Sequence, residues 1–264
     1  MRDLAFSIAI SGKGGTGKTT ISAILVNLLK NYSGSPILAV DADPNSNLNE
    51  ALGVKAEMSV GKAREMLLEN KDKLGPNQTK EEYFNYLFQS AIEEFEGFDL
   101  IVMGRAEGPG CYCYVNNLLR KVLDELADRY PLMIVDTEAG LEHFSRRTTR
   151  DIDILLVVTD PTAKGVLTAK RISEMIKSLN TNIRKAFLVV NRVPPQFMDR
   201  VQDLEKTSGL KCIAVIPRDQ LIEEYDLSGV SLTELPESSQ ALKAVKELME
   251  KLEIPAIQKG EISR

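Results

Sequence analysis

An apolar run, Leu4–Ile10, passes without a break into Ser11-Gly12-Lys13-Gly14-Gly15-Thr16-Gly17-Lys18-Thr19-Thr20 and then into a helical period. Strand, glycine-rich loop and helix in immediate succession are the setting in which G-x-x-x-x-G-K-T acts as a phosphate-binding loop. Its glycines let consecutive backbone N–H groups turn inward around phosphate oxygens, which Cβ atoms would obstruct. A helix beginning near Lys18 adds its positive N-terminal end. On this chemistry Gly12, Gly14, Gly15, Thr16 and Gly17 form the cradle and Lys18 reaches the β- and γ-phosphates. The Thr19 hydroxyl ligates Mg²⁺, and Thr20 serves the α-phosphate. The competing reading is a tight turn that happens to carry a lysine.

The rest of the chain extends the pattern. Short β-rich runs at Ile37–Val40, Leu100–Met103, Leu132–Val135, Ile152–Val158, Ala186–Val190 and Cys212–Ile216 alternate with longer helical stretches. The helices are expected at Lys18–Lys30, Lys80–Phe95, Tyr114–Tyr130, Ala163–Leu179, Pro195–Lys206 and about Glu237 to Leu252. Strands that are apolar throughout and alternate with helices predict an α/β fold, a doubly wound, mostly parallel sheet covered on both sides. Val54–Gln78 is polar and irregular and reads as an insertion. No repeat or Gly/Ser linker divides the chain, so residues 1–264 are expected to form a single domain.

Composition removes several function classes. With 33 basic and 38 acidic side chains the formal charge is −5, which weakens any reading that needs a broad grip on nucleic-acid phosphates. No apolar run approaches the ~18 residues of a membrane span. Gly12-Lys13-Gly14-Gly15 interrupts the hydrophobic stretch that a signal peptide would need. Three cysteines in 264 residues are too few for a secreted disulfide scaffold. A cytoplasmic protein that binds neither nucleic acid nor membrane is expected, and the tail Pro255–Arg264 lacks the apolar face of a membrane-surface helix.

Lys13 makes the loop unusual, because a second lysine at its start points away from its own phosphates in most geometries. The sequence K-G-G-x-G-K-T resembles the hallmark of the deviant P-loop ATPases of the MinD/ParA/nitrogenase-iron-protein class. In that class the matching lysine crosses a nucleotide-sandwich dimer, so the resemblance implies a homodimer in which Lys13 contacts the partner's phosphates. Val40-Asp41-Ala42-Asp43-Pro44-Asn45 and Met133-Ile134-Val135-Asp136-Thr137-Glu138-Ala139-Gly140 also resemble class motifs. The resemblance assigns Asp43 to positioning the attacking water and Asp136 to holding Mg²⁺ through a water. It places Asn191 where the class reads adenine through a side-chain amide, with backbone groups around Pro217 completing the pocket. Without a guanine signature of the Asn/Thr-Lys-x-Asp kind, ATP is expected over GTP.

Cys111-Tyr112-Cys113 is a second candidate site. In an extended segment residues i and i+2 face the same side, so both sulfurs can converge. Two thiolates leave a tetrahedral metal site half complete, and a two-fold dimer supplies the other pair. A redox pair and two packed thiols stay open as readings of the spacing itself. The combination of C-x-C, the loop Gly12–Thr20, and Glu138-Ala139-Gly140-Leu141-Glu142-His143 with Ser145-Arg146-Arg147 resembles the CooC-type ATPases. Those proteins insert nickel into carbon monoxide dehydrogenase and serve related acetyl-CoA synthase systems. The resemblance implies Ni²⁺ or Zn²⁺ shared by Cys111 and Cys113 across the dimer, and a nickel-enzyme client. The alternatives are a MinD/ParA-like positional ATPase and a nitrogenase-iron-protein-like redox ATPase. His143, the single histidine, reads as a helix-surface residue, and Cys212 as a buried core thiol.

Overall fold

The computed structural model describes residues 5–30, 34–70, 79–105, 126, 129–138, 152–178 and 183–255. Within them eight strands form one sheet: β1 (Phe6–Gly12), β2 (Ile37–Ala42), β3 (Ile92–Phe95), β4 (Phe98–Val102), β5 (Leu132–Thr137), β6 (Ile152–Thr159), β7 (Ile183–Val193) and β8 (Lys211–Pro217). Their spatial order is β3-β4-β2-β5-β1-β6-β7-β8. Only the β3–β4 pair is antiparallel. The helices are α1 (Lys18–Leu29), α2 (Leu48–Ala51), α3 (Val60–Asn70), α4 (Lys80–Gln89), α5 (Ala163–Ser178), α6 (Val201–Ser208), α7 (Gln220–Ser228) and α8 (Gln240–Lys251).

The central strands are buried over their whole length because each side chain enters one of two hydrophobic layers. Ile8, Ile10, Ile37 and Ala39 face the layer that holds Ile24 and Leu25 of α1 and Val245 and Leu248 of α8. Their neighbours Ala9, Leu38 and Val40 face the opposite layer, with Ala169 and Ile172 of α5. Strand periodicity of two thus divides one sequence run between two cores. The doubly wound, mostly parallel α/β sheet expected from the sequence is what forms.

The edges depart from the sequence reading. The helix expected at Lys80–Phe95 stops at Gln89, and Ile92–Phe95 instead pairs with β4 in a hairpin across Glu96-Gly97. Gly97 supplies the φ of +81° that this tight turn needs, and the Phe95 and Phe98 rings stack with centroids 5.3 Å apart. The segment read as irregular contains α3, which buries only Val60, Gly61, Ala63 and Arg64. Helix α7 buries no residue fully, and only Leu221, Ile222 and Tyr225 pack against the core, a stripe too short to stand out in the sequence. Pro195–Lys206 divides into a 3₁₀ helix, Pro195–Arg200, followed by α6. Cys212, expected in the core, is half-buried on edge strand β8, where its Sγ lies 3.4 Å from the Ala214 carbonyl oxygen and burial raises the thiol pKa. Most of Tyr114–Tyr130 lies outside the described residues, as do Cys111, Cys113 and His143. Among the described residues no helix is long and apolar enough to cross a membrane.

One carboxylate joins the two helices beyond β8. Asp219 Oδ1 accepts from the Leu221 N–H at 3.0 Å, capping α7. Its Oδ2 accepts from the Ser239 hydroxyl at 2.6 Å and from the Ala241 N–H at 2.9 Å, at the start of α8. Burial acts to raise the Asp219 pKa, but these donors outweigh it and hold the carboxyl below its ordinary value. Asp219→Ala should therefore lower unfolding stability by about 2 kcal/mol at pH 7, as loss of an N-cap does. A depressed pKa stabilises the fold above the unfolded-state value and ceases to do so as pH falls through the folded-state value. Denaturant titrations should accordingly show parent and variant converging below about pH 4.

Candidate active site

The carboxyl ends of β1, β2, β7 and β8 open onto one cleft of about 850 Å³, where ligands of open α/β sheets are held. The loop after β1 is shaped from behind by its close neighbours. A Cβ on Gly12, whose φ is +147°, would stand 2.0 Å from the Val158 carbonyl oxygen. Thr16 is fully buried, and its hydroxyl donates to Lys13 O at 2.8 Å and lies 3.3 Å from Val158 O. Gly12 and Thr16 are thus loop-shaping residues, whereas Gly14, Gly15, Gly17, Lys18, Thr19 and Thr20 line the cleft. Added Cβ atoms on Gly14 or Gly15 would meet nothing within 4 Å, so open space stands over the middle of the loop.

Helix α1 begins at Lys18 with no side-chain cap and no acidic residue in its first turn. Its leading N–H groups therefore remain available to an anion. The Lys18 side chain is largely buried, with Nζ 3.5 Å from Lys13 O. Lys13 is half-buried at the start of the loop and is not among the residues lining the cleft.

Behind the cleft-lining Thr19 stands Asp136, the Thr19 hydroxyl donating to Asp136 Oδ2 at 2.6 Å. Asp136 is 1% exposed, and its Oδ1 is buried with no hydrogen-bond partner. Burial raises its pKa to about 6, against the Thr19 hydroxyl and the Lys18 charge, which lower it. A hydroxyl beside an orphaned, desolvated carboxylate oxygen suits a hard divalent cation, so the donor set fits Mg²⁺.

Asp41 was not singled out from the sequence, yet it is fully buried and stands beside Asp136 in the β2–β5 register. It accepts from the Asp43 N–H at 3.0 Å and the Leu48 N–H at 2.9 Å, pinning the turn after β2 to the start of α2. Burial first, and then the charge of Asp136, raise its pKa to about 7. The available signal was a carboxylate two residues before Asp43 inside an otherwise apolar strand. Asp43 reaches the cleft, and its Oδ1 accepts from both the backbone N–H and the side-chain amide of Asn45, at 2.8 and 3.1 Å. The Arg105 guanidinium, just beyond β4, bonds Asn45 Oδ1.

At the far end of the cleft stand Asn191, Arg192, Pro217 and Arg218. The Asn191 amide group donates to Thr16 O at 2.8 Å, and its Oδ1 accepts from the Arg192 N–H at 2.9 Å. Asn191, expected to read adenine through its amide, lines the cleft with that amide bonded instead to the phosphate loop and to the Arg192 N–H. Among the described residues no group of three His, Cys, Asp or Glu could hold a metal ion, and the C-x-C pair lies outside them.

A parallel sheet that ends in a glycine-rich loop, an uncapped helix N-terminus and a Thr–Asp pair defines a P-loop nucleotide-binding ATPase. The chain belongs to the family described as CobQ/CobB/MinD/ParA nucleotide binding domain, matched over residues 7–232, and it is an ATPase of that kind. It is 44% identical over 247 residues to an uncharacterized ATP-binding protein of Methanocaldococcus jannaschii, covering 93% of this chain and 97% of that protein. It is 31% identical over 242 residues to the carbon monoxide dehydrogenase accessory protein CooC of Rhodospirillum rubrum, covering 86% and 89%. In fold it matches the septum site-determining protein MinD of Pyrococcus horikoshii, solved with Mg-ADP, at a TM-score of 0.69 and 24% identity, covering 98% and 100% of the two chains.

Between pH 3.8, the ordinary value, and about 7, folded Asp41 keeps a proton that the unfolded chain has released. Its contribution to stability therefore declines as pH rises through that interval. Asp41→Asn lacks this slope. In nucleotide-free, metal-free denaturation the variant should gain on the parent steadily from about pH 4 to 7, and a constant difference would refute the assignment.

Proposed function

We propose that this ATPase is a cytoplasmic maturation factor that loads nickel into carbon monoxide dehydrogenase or acetyl-CoA synthase. It would work as a homodimer of single-domain chains, 1–264, with one Ni²⁺ or Zn²⁺ held by Cys111 and Cys113 of both copies. The observation that carries the reading is where the C-x-C segment starts. Cys111 follows Arg105 by six residues, and Arg105 bonds the Asn45 that holds Asp43. The described chain that precedes the C-x-C pair in sequence thus ends, at Arg105, beside Asn45 and Asp43 of the nucleotide cleft, which supports a metal site linked to the nucleotide. The 31% identity to CooC supports the same client class.

In this reading Lys18 and the N–H groups of the loop hold the phosphates, and Thr19 and Asp136 hold Mg²⁺. The ion supplies charge neutralisation when bound. Asp43 orients the attacking water, and Lys13 reaches the partner's nucleotide. A MinD-like positional role is the second reading, supported by the fold match to MinD. Metal content separates the two.

Lys18→Ala should reduce ATP turnover by at least ~10²-fold, and Asp43→Ala should bind ATP yet turn it over no faster than Lys18→Ala. Wild-type turnover in Asp43→Ala would remove the water-positioning role. Lys13→Ala should bind nucleotide as a monomer, which light scattering with ATP and with ADP measures directly. For the metal, anaerobic analysis should find one divalent ion per two chains, lost in Cys111→Ala and Cys113→Ala while nucleotide binding persists. One ion per chain, or full loading of the double variant, would rule out a shared site.

A further inference from the structure

Two consecutive residues at the end of β7 hold two consecutive carbonyls of the phosphate loop. Asn191 Nδ2 donates to Thr16 O at 2.8 Å, and Arg192 Nη1 donates to Gly15 O at 2.9 Å. In a regular strand successive side chains point to opposite faces, so neighbours cannot both reach one loop. Strand β7 manages it by breaking its own register. Its pairing with β8 shifts between Val190 and Val193, and Arg192 takes a φ of +56°. A long side chain rarely enters that left-handed region, and such strain persists where the surroundings over-determine it, often at functional sites.

The loop explains what the strain is for. Gly15 and Gly17 have φ of +78° and +88°, and space is open around Gly14 and Gly15. Nothing intrinsic to these glycines fixes the planes of the peptides between them. A phosphate cradle requires the N–H groups to face the anion, which turns the intervening carbonyls outward and leaves them in need of donors. A peptide that flipped would aim a carbonyl oxygen at the phosphates. Asn191 secures the Thr16–Gly17 peptide, and Arg192 secures the Gly15–Thr16 peptide.

We propose that Arg192 is a positioning residue that preorganises the phosphate loop. Its guanidinium holds the Gly15 carbonyl outward and so fixes the plane of the Gly15–Thr16 peptide, whose N–H faces the Lys13 carbonyl, before nucleotide arrives. Preorganisation removes an ordering entropy that two glycines would otherwise lose on binding. Because the cradle surrounds phosphates common to ATP and ADP, both nucleotides should benefit equally.

The test uses Arg192→Gly, which tolerates a φ of +56° and so removes the guanidinium without straining the backbone. Calorimetric affinities for ADP and for a non-hydrolysable ATP analogue should weaken by the same factor, about tenfold. The thermal midpoint of the nucleotide-free protein should stay near the parent's, and the kinetic loss should appear in KM far more than in kcat. Arg192→Lys, with a single ammonium nitrogen on a flexible stem, should recover part of the affinity. Unchanged ADP affinity in Arg192→Gly overturns the proposal. So does weakening of the ATP analogue alone, which would place the guanidinium on the γ-phosphate. A loss of stability matching the loss of affinity in both variants overturns it too, making Arg192 a folding residue. The inference rests on Gly12–Thr20 being the phosphate site, and Lys18→Ala measured alongside separates the two. If that variant binds ADP like the parent, the loop reading itself falls. If it does not and Arg192→Gly does, only the clamp falls.

Discussion

At the end of the central strand the backbone of Gly12 runs against that of Val158 so closely that a Cβ would stand 2.0 Å from the Val158 carbonyl oxygen. That approach sets the point at which the chain leaves the sheet, and the loop is then folded back by Thr16, whose hydroxyl bonds Lys13 O and approaches Val158 O. With its take-off point held by β6 and its far side by Asn191 and Arg192 of β7, the loop delivers α1 with free leading N–H groups toward the cleft. The two strands that brace the loop come from more than 140 residues away in sequence. Phosphate binding is thus a property of the sheet as much as of the glycines.

The sheet beneath the cleft carries the opposite electrostatic tendency. Asp41 and Asp136 are adjacent, buried and short of compensating charge, so both carboxyls are pushed toward protonation. Such a pair destabilises the empty site and suits a cation, since a divalent ion beside Thr19 reverses the cost of ionising Asp136. Asp41 meanwhile organises backbone: its bonds to Asp43 and Leu48 determine where the turn after β2 presents Asp43. Ion binding, turn geometry and the carboxylate expected to orient water are therefore coupled through two neighbouring residues on β2 and β5. Arg105 and Asn45 tie that turn to the exit of β4.

The residues that were legible in the sequence are those whose role is local. Gly12–Thr20 declares itself because strand, loop and helix are contiguous. Asp43 and Asp136 stand where apolar runs end, which the alternation of apolar and polar residues marks. Strand β3 was hidden because Ile92–Phe95 continues a helical pattern, and only the hairpin turn at Glu96-Gly97 with the Phe95–Phe98 stack reassigns it. Helix α7 is hidden because it is nine residues long and its apolar face is only Leu221, Ile222 and Tyr225. Arg192 was illegible because its role depends on a bulge that turns two adjacent side chains to the same side.

The sequence by itself determined the α/β class, the parallel core and the strand–loop–helix succession of the glycine-rich loop. Each follows from short-range periodicity or from a contiguous motif, which the local chain encodes directly. Tertiary structure alone decided that Asp41 would share its burial with Asp136, that Asp219 would cap two helices, and that β7 would distort to hold Gly15 and Thr16. Those outcomes depend on which strands become neighbours and on how far each group is removed from water, and neither quantity exists until the sheet has formed.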